Sequence, residues 1–510
     1  MMQLTPFDMF AFAAFICFVV GVSLYASRKE DTSEDYFLAG RGLSWWLVGF
    51  SLIASNISSE HFVGQAGKGF GSAGLAVASY EWIAAVTLVF VAIFFLPKFL
   101  RSGIYTIPEF LEYRYNATAR AIMAFFMMVA YVVVAMATVL YSGAIALKAI
   151  FGINVIFGIW LIGILAGAYT IYGGLKAVVW SDLIQGAALL LGGVLVTVLA
   201  LRAVGGIGPF LSNNADKLHM ILPSDHADYP WTILLAGIWV PNLFYWGLNQ
   251  FITQRTLGSK SVAEGQRGIL FAAMLKLLIP FIIIFPGIMA WQLYGSQITD
   301  VNEAYPVLMR NILPAGLRGI MFAALFGAVM SSLDSMLNSA STILTIDLYK
   351  RHLNPDADPR KLVAFGRIST GVFVIIACLW SPLLAGMESV FDYVQTFWGF
   401  ISPGIVAVFI FGIFVKRTPP VAAIVGMILS IPVYAVLTYA PWPGLDYTNN
   451  MGITCLILMA VLAVITVVRP LEEPVVMPRR VDIDLKSSPG VKMWGLTIIA
   501  VTVALYVVFR

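Results

Sequence analysis

SLIASNISSEHFVGQAGKGFG, residues 51–71, is the stretch whose reading decides the fold. It begins as an apolar helix. From Ala54 to Ser59 it turns small and polar, with a β-branched residue in the middle. That composition makes a poor continuous helix inside lipid. Unwound backbone at membrane depth is tolerated only where it lines a cavity or meets other protein. Its freed carbonyls are hard oxygen ligands suited to an alkali cation. The alternative is an ordinary helix whose Ser and Asn side chains pack against neighbours.

The rest of the chain places that stretch in a membrane. Of 510 residues, 60% are apolar and 11% are charged, where a soluble domain carries about 25% charge. The mean hydropathy is +0.88. These values exclude a soluble enzyme, a disordered tail protein and a nucleic-acid binder. A net charge of +4 leaves no basic face for nucleic acid. Long apolar runs, rather than alternating strands of about ten residues, argue for helices over a β-barrel.

Fourteen runs are long enough to cross the hydrocarbon core, near 5–27, 43–67, 74–98, 119–148, 153–175, 180–203, 231–253, 268–293, 315–348, 364–384, 389–415, 419–440, 450–469 and 492–509. An even count puts both termini on one side. With the termini outside, the inside segments hold 23 Lys and Arg, Arg255 among them, and the outside segments hold 7; Lys276 lies within a span. The positive-inside rule therefore favours extracellular or periplasmic termini. Cys17, Cys378 and Cys455 sit in apolar runs and read as small buried hydrophobes. The four histidines lack metal-ligand spacing. The N-terminus lacks a basic n-region and an A-x-A site, so it reads as a retained span. Compact loops point to a bacterial inner membrane.

In a membrane the expensive residues are the informative ones. His61, Glu81, Asp182, Lys276 and Asp334 all fall within spans. Each is a functional group or, on the bland reading, a structural interhelical pair. A second hydroxyl cluster, AVMSSLDSMLNSAST at 328–342, sets Ser331 beside Ser332, with Ser335 and Ser339 following at helical spacing. Such hydroxyls commonly glue helices together. Paired with the broken stretch they could complete an oxygen cage for sodium. Asn242, Tyr245 and Trp246 in WVPNLFYWGLNQF, and Phe391 and Gln395 in FDYVQTFWGFISPG, suit a sugar-like ligand, whose hydroxyls want polar partners while its ring stacks on aromatics. No HExxH, GxSxG, Walker A or GxGxxG in context is present. Enzymatic chemistry and ATP-driven pumping therefore have no visible engine.

These segments resemble the sodium/solute symporter family, in its sodium–glucose cotransporter branch. The resemblance rests on EDYFLAGR (34–41), SLIASNISSEHFVG (51–64), ASYEW (78–82), GIYTIPEF (103–110), YGGLKAVVWSD (172–182), NLFYWGLNQFITQRTL (242–257), FAAMLKL (271–277), SSLDSMLNSASTILTIDLYK (331–350), and FDYVQ and SPG within 391–404. It implies an all-α, leucine-transporter-like core of five helices repeated with inverted topology. A peripheral helix and cytoplasmic loop (1–42) would precede repeat 1 (43–205). An extracellular loop (206–230) would lead to repeat 2 (231–417), and three peripheral helices (418–510) would follow.

The resemblance also implies site residues. Sodium would be held by the carbonyls of Ala54, Ile57 and Ala328 and the hydroxyls of Ser331 and Ser332. A second sodium would use Asp182, Asp334 and Ser335. Sugar would meet Asn56, His61, Glu81, Asn242, Lys276 and Gln395, with Tyr245 and Trp246 as the inner aromatic cover. Gln65, Tyr131 and Phe391 match outer-gate positions. His61 stands where a bacterial member has Gln and animal members have His. Ala84 stands where that bacterial member has Ser, and Gln65 replaces a hydrophobic gate residue.

The expected function is sodium-driven uptake of a monosaccharide through the lipid bilayer by alternating access. Na+ would be the coupling ion. The same fold could instead carry myo-inositol, sialic acid, a carboxylate or an amino acid. A transporter-like sensor or channel is a further alternative, although a tail ending at Arg510 straight after a span argues against the sensor. The oligomeric state is not legible.

Overall fold

The computed structural model describes residues 5–27, 32–58, 60–226, 229–385, 390–440, 446–479 and 483–510, with the side chains at 149–150 and 390–392 outside that description. It is built of helices; extended pairing among the described residues is limited to isolated bridges such as Leu43 with Ser259. Among the described residues, eleven helices are long and apolar enough to cross a membrane.

The sequence reading expected fourteen spans, and the difference has a geometric origin. Val155–Ala203 runs for 49 residues as one helix. At 1.5 Å per residue it would be about 74 Å long, more than twice the ~30 Å hydrocarbon thickness. Inside it, Gly174 takes φ 52°, ψ −145°, which divides it into two helices. A side chain there would be strained, and its Cβ would run into the Tyr36 carbonyl. Two other expected spans are interrupted, so neither half reaches spanning length. Trp45–Asn56 stops where Ile57 turns extended (φ −71°, ψ 110°), and the chain resumes in a wide turn, His61–Gln65, leading into Ala66–Phe70. Trp239–Gly247 and Gln250–Leu257 are parted by Asn249 (φ −81°, ψ 119°).

Burial separates a core from its surroundings. In the most apolar stretch of Pro6–Ala26 only 17% of residues are buried in protein, and in Val491–Val508 only 22%. In Leu317–Leu353 the figure is 89%, and in Val262–Tyr294 it is 72%. The outer helices therefore turn apolar side chains such as Phe10, Phe18 and Val507 outward, as a lipid-facing surface requires. Cys17 is on that surface. It is exposed, contrary to the expectation of burial, while Cys378 and Cys455 are buried.

Polar contacts at helix ends pin the packing. Asp8 caps its own helix with Thr5 and also accepts from the Gly316 and Gly319 amides at 2.7 and 3.2 Å, where the serine-rich helix Leu317–Thr342 begins. A carboxylate there satisfies orphan amides and complements the helix dipole. Gly186 lets the long helix approach the first break, because a Cβ there would come 2.8 Å from the Ala54 methyl.

Candidate functional site

Both breaks border one cavity of about 460 Å³, within the ~300–1,000 Å³ common for small-ligand sites. The first break presents Asn56 as the last residue of its helix, then His61 and Gln65 from the wide turn. Ser79–Phe90 supplies Glu81, and Val262–Tyr294 supplies Lys276. The second broken helix supplies Asn242, Tyr245 and Trp246. Gln395 and Trp398 close another side, and Ser332 reaches the cavity from the serine-rich helix.

The charged centre of the cavity is tightly knit. Lys276 Nζ donates to both Glu81 Oε2 and Asn56 Oδ1 and stands 4.9 Å over the Trp246 ring. Glu81 Oε1 accepts from Gln65 Nε2 at 2.9 Å and lies 3.4 Å from His61 Nε2. Lys276, Glu81 and His61 are all buried. Burying two opposite charges is tolerated when each is paired and further hydrogen-bonded, and removing one partner then costs about 3–5 kcal/mol. Asn242 donates to the Ile238 carbonyl at 2.9 Å, which leaves its side-chain oxygen to the cavity.

Of the residues expected at an outer gate, Gln65 lies in this cluster. Tyr131 lies elsewhere: it is buried, donates to Asn249 Oδ1 and accepts from the Phe251 amide, and so fastens the second break. The side chain of Phe391 falls outside the described residues.

Below the cavity the residues expected to hold sodium meet a second polar network. Ala54, Ile57, Ala328, Ser331 and Ser332 are buried. Ser55 Oγ and Ser335 Oγ lie 3.0 Å apart, which clamps the first break to the serine-rich helix. A helix end leaves carbonyls without intrahelical partners, so the end at Asn56 offers oxygens here. Among the described residues, Ser332 Oγ is buried with no hydrogen-bond partner. Ser331 Oγ instead donates to Asp182 Oδ1 at 2.5 Å.

Asp182 also accepts from Ser51 at 2.5 Å and Ser55 at 2.9 Å. Arg255 Nη2 is 3.7 Å from Asp182 and donates to Ser335 Oγ at 2.9 Å, while its Nε donates to Ser51 Oγ at 2.7 Å. Asp334 accepts from Tyr169 and, at 3.2 Å, from Ser181. The expected second-sodium residues Asp182, Asp334 and Ser335 are thus brought together, with the Arg255 guanidinium against Asp182 and Ser335 and Ser335 against Asp334.

Arg255 corrects the sequence reading. Counted there among inside-loop charges, it is fully buried on Gln250–Leu257, the half of the second broken helix that follows the break. Its signal was available, since it is the one charge in QFITQRTL directly after an apolar run. Ser51 and Ser55 also had a signal, being spaced to share a helix face. Tyr169 and Ser181 had none beyond ordinary polar residues in apolar helices. Glu60, a cavity-lining carboxylate beside His61, is a further charged residue that the sequence did not single out.

The sequence model of the sodium:solute symporter family matches residues 36–430. The sodium/glucose cotransporter of Vibrio parahaemolyticus is 43% identical over 487 residues, covering 89% of each chain. The sodium/myo-inositol cotransporter 2 of Sus scrofa is 35% identical over 469 residues, covering 84% of this chain and 69% of that protein. Among solved structures, an outward-open, substrate-bound Na+-coupled sialic acid symporter superposes with a TM-score of 0.83 at 24% identity, over 93% of this chain and 99% of that one. At that identity the likeness speaks for the fold, a leucine-transporter-like helical core with both breaks at its centre.

Proposed function

The chain belongs to the sodium:solute symporter family, and on that premise we propose that it carries a monosaccharide of glucose or galactose type inward with sodium. As a member of that family it is a multi-pass membrane transporter coupling solute to sodium, and not an enzyme. Na+ is the coupling ion and travels as cargo.

The observation that carries the sugar reading is the Asn56–Lys276–Glu81 cluster facing an aromatic-walled cavity. Its ammonium, carboxylate and amide can exchange bonds with several hydroxyls, and Tyr245, Trp246 and Trp398 offer ring faces. A ligand with a single charge would use little of this set. Sugar would therefore bind at Asn56, His61, Glu81, Asn242, Lys276 and Gln395, under Tyr245 and Trp246. Gln65 and Phe391 would form the outer gate.

Sodium would bind where the first break meets Ser331 and Ser332. Asn56 belongs to the same break, between Ala54 and Ile57. An ion ordering Ala54–Ile57 would also orient Asn56 toward Lys276, so each ligand would raise the other's affinity by the same factor. One sodium entering down 100 mV gains about 2.3 kcal/mol. A second ion at Asp182, Asp334 and Ser335 would double that, provided Arg255 gives way. We read fourteen spans with both termini outside.

The test is uptake of labelled sugars into proteoliposomes, with a panel of hexoses, myo-inositol, sialic acid and amino acids as competitors. Uptake of glucose or galactose driven by inward sodium is the expected result. Equal uptake in potassium contradicts sodium coupling. Displacement by myo-inositol alone would move the substrate to a cyclitol, which the 35% identity to an inositol carrier makes the next reading.

A further inference from the structure

We propose that Glu60 makes the cavity a site for amino sugars, its carboxylate receiving the ammonium group while the ring hydroxyls engage the Asn56–Lys276–Glu81 cluster; this rests on the sugar reading above. Glu60 is the first described residue after the break that carries a charge, and it lines the cavity next to His61. Its backbone amide donates to Ser58 Oγ at 3.2 Å. Among the described residues its carboxylate has no hydrogen-bond or ion-pair partner.

The other charged groups lining the cavity are already engaged. Lys276 is held by Glu81, Asn56 and the Trp246 face. Glu81 is held by Lys276, Gln65 and His61. Lys68 has a partner of its own and stands eight residues on, about 12 Å along a helical path. Glu60 is therefore the lining charge left for a ligand.

A partly buried carboxylate gains more from an ammonium than from a neutral hydroxyl, because the ammonium both donates hydrogen bonds and neutralises the charge. The cavity also keeps what a sugar needs. Gln395 and the Asn242 side-chain oxygen serve hydroxyls, and Tyr245 and Trp398 supply ring faces. A ligand combining a ring, several hydroxyls and one ammonium uses the whole lining, whereas a neutral hexose leaves Glu60 without a counter-charge.

The experiment is competition in proteoliposomes. Sodium-driven uptake of labelled glucose and galactose is measured against the amino-deoxy isomers of each sugar, at a pH where the amine is protonated. The N-acetylated and parent sugars serve as neutral controls. At least one amino isomer should compete about tenfold better than its neutral counterparts, and E60Q should lower that amino-to-neutral ratio about tenfold. Wild-type protein that ranks every amino isomer at or below its neutral controls overturns the proposal, and this arm does not depend on the variant folding. An E60Q ratio equal to that of wild type overturns it as well. Absence of sodium-driven uptake of any neutral hexose would instead count against the sugar reading itself.

Discussion

Ser331 and Ser332 are adjacent and chemically identical, yet the structure gives them different work. Ser331 donates into Asp182, whereas Ser332 Oγ is buried with no partner among the described residues. An orphan buried hydroxyl costs stability unless a ligand satisfies it. Ser332→Ala should therefore leave the unfolding temperature within about a degree of wild type, since no partner is stranded. It should raise the sodium concentration for half-maximal sugar uptake about tenfold, equivalent to roughly 1.4 kcal/mol. An unchanged sodium titration would remove Ser332 from the ion site. Ser331→Ala should instead lower stability by about 1–3 kcal/mol, because Asp182 loses a donor. The sequence made the pair visible as neighbouring hydroxyls in an apolar helix. It did not divide their roles, because that depends on Asp182, some 150 residues away in the chain. Lys276 and Glu81 were legible individually for the opposite reason, since a charge at membrane depth needs a partner, but that they partner each other is seen only in the structure.

At the scale of elements, both breaks follow from local chemistry, but only the first was read as a break from composition alone. Ala54–Ser59 is small and polar, while the second break lies in an aromatic stretch and depends on Tyr131 holding Asn249 from another helix. The division at Gly174 was legible, since the Gly173–Gly174 pair in YGGLK lies where the sequence separates the runs 153–175 and 180–203. The half of the second broken helix after the break, Gln250–Leu257, is fastened by Arg255 to Ser51, Ser335 and Asp182. Hydropathy assigned Arg255 to a loop because a charge ordinarily ends a span. Arg255→Gln should cost about 3–5 kcal/mol of unfolding free energy by leaving Asp182 and Asp334 without a nearby cation. Denaturant titration in detergent measures this. Stability equal to wild type would show that the guanidinium is not their counter-charge.

For the whole molecule, the ionic contacts outside the core link distant segments. Arg120 bonds Glu112 at 2.8 Å and Asp347 at 2.6 Å, and Arg351 bonds Glu112 at 2.7 Å. Burial alone would raise the Glu112 carboxyl, but the bonds from Arg351 and Arg120 outweigh it and hold its pKa below the usual carboxylate value. A depressed folded pKa contributes stability above the unfolded value of about 4.3, and that stability is lost as pH falls through the lower folded one. Acid titration of thermal unfolding should show that loss in wild type and a smaller one in Glu112→Gln; identical acid curves would discount the link. The central claim concerns coupling, and uphill transport tests it most directly. Proteoliposomes loaded with labelled glucose or galactose at the external concentration are given an inward sodium gradient. The account predicts accumulation above equilibrium that collapses when a sodium ionophore is added. Internal sugar that stays at the external concentration, in sodium as in potassium, would contradict it.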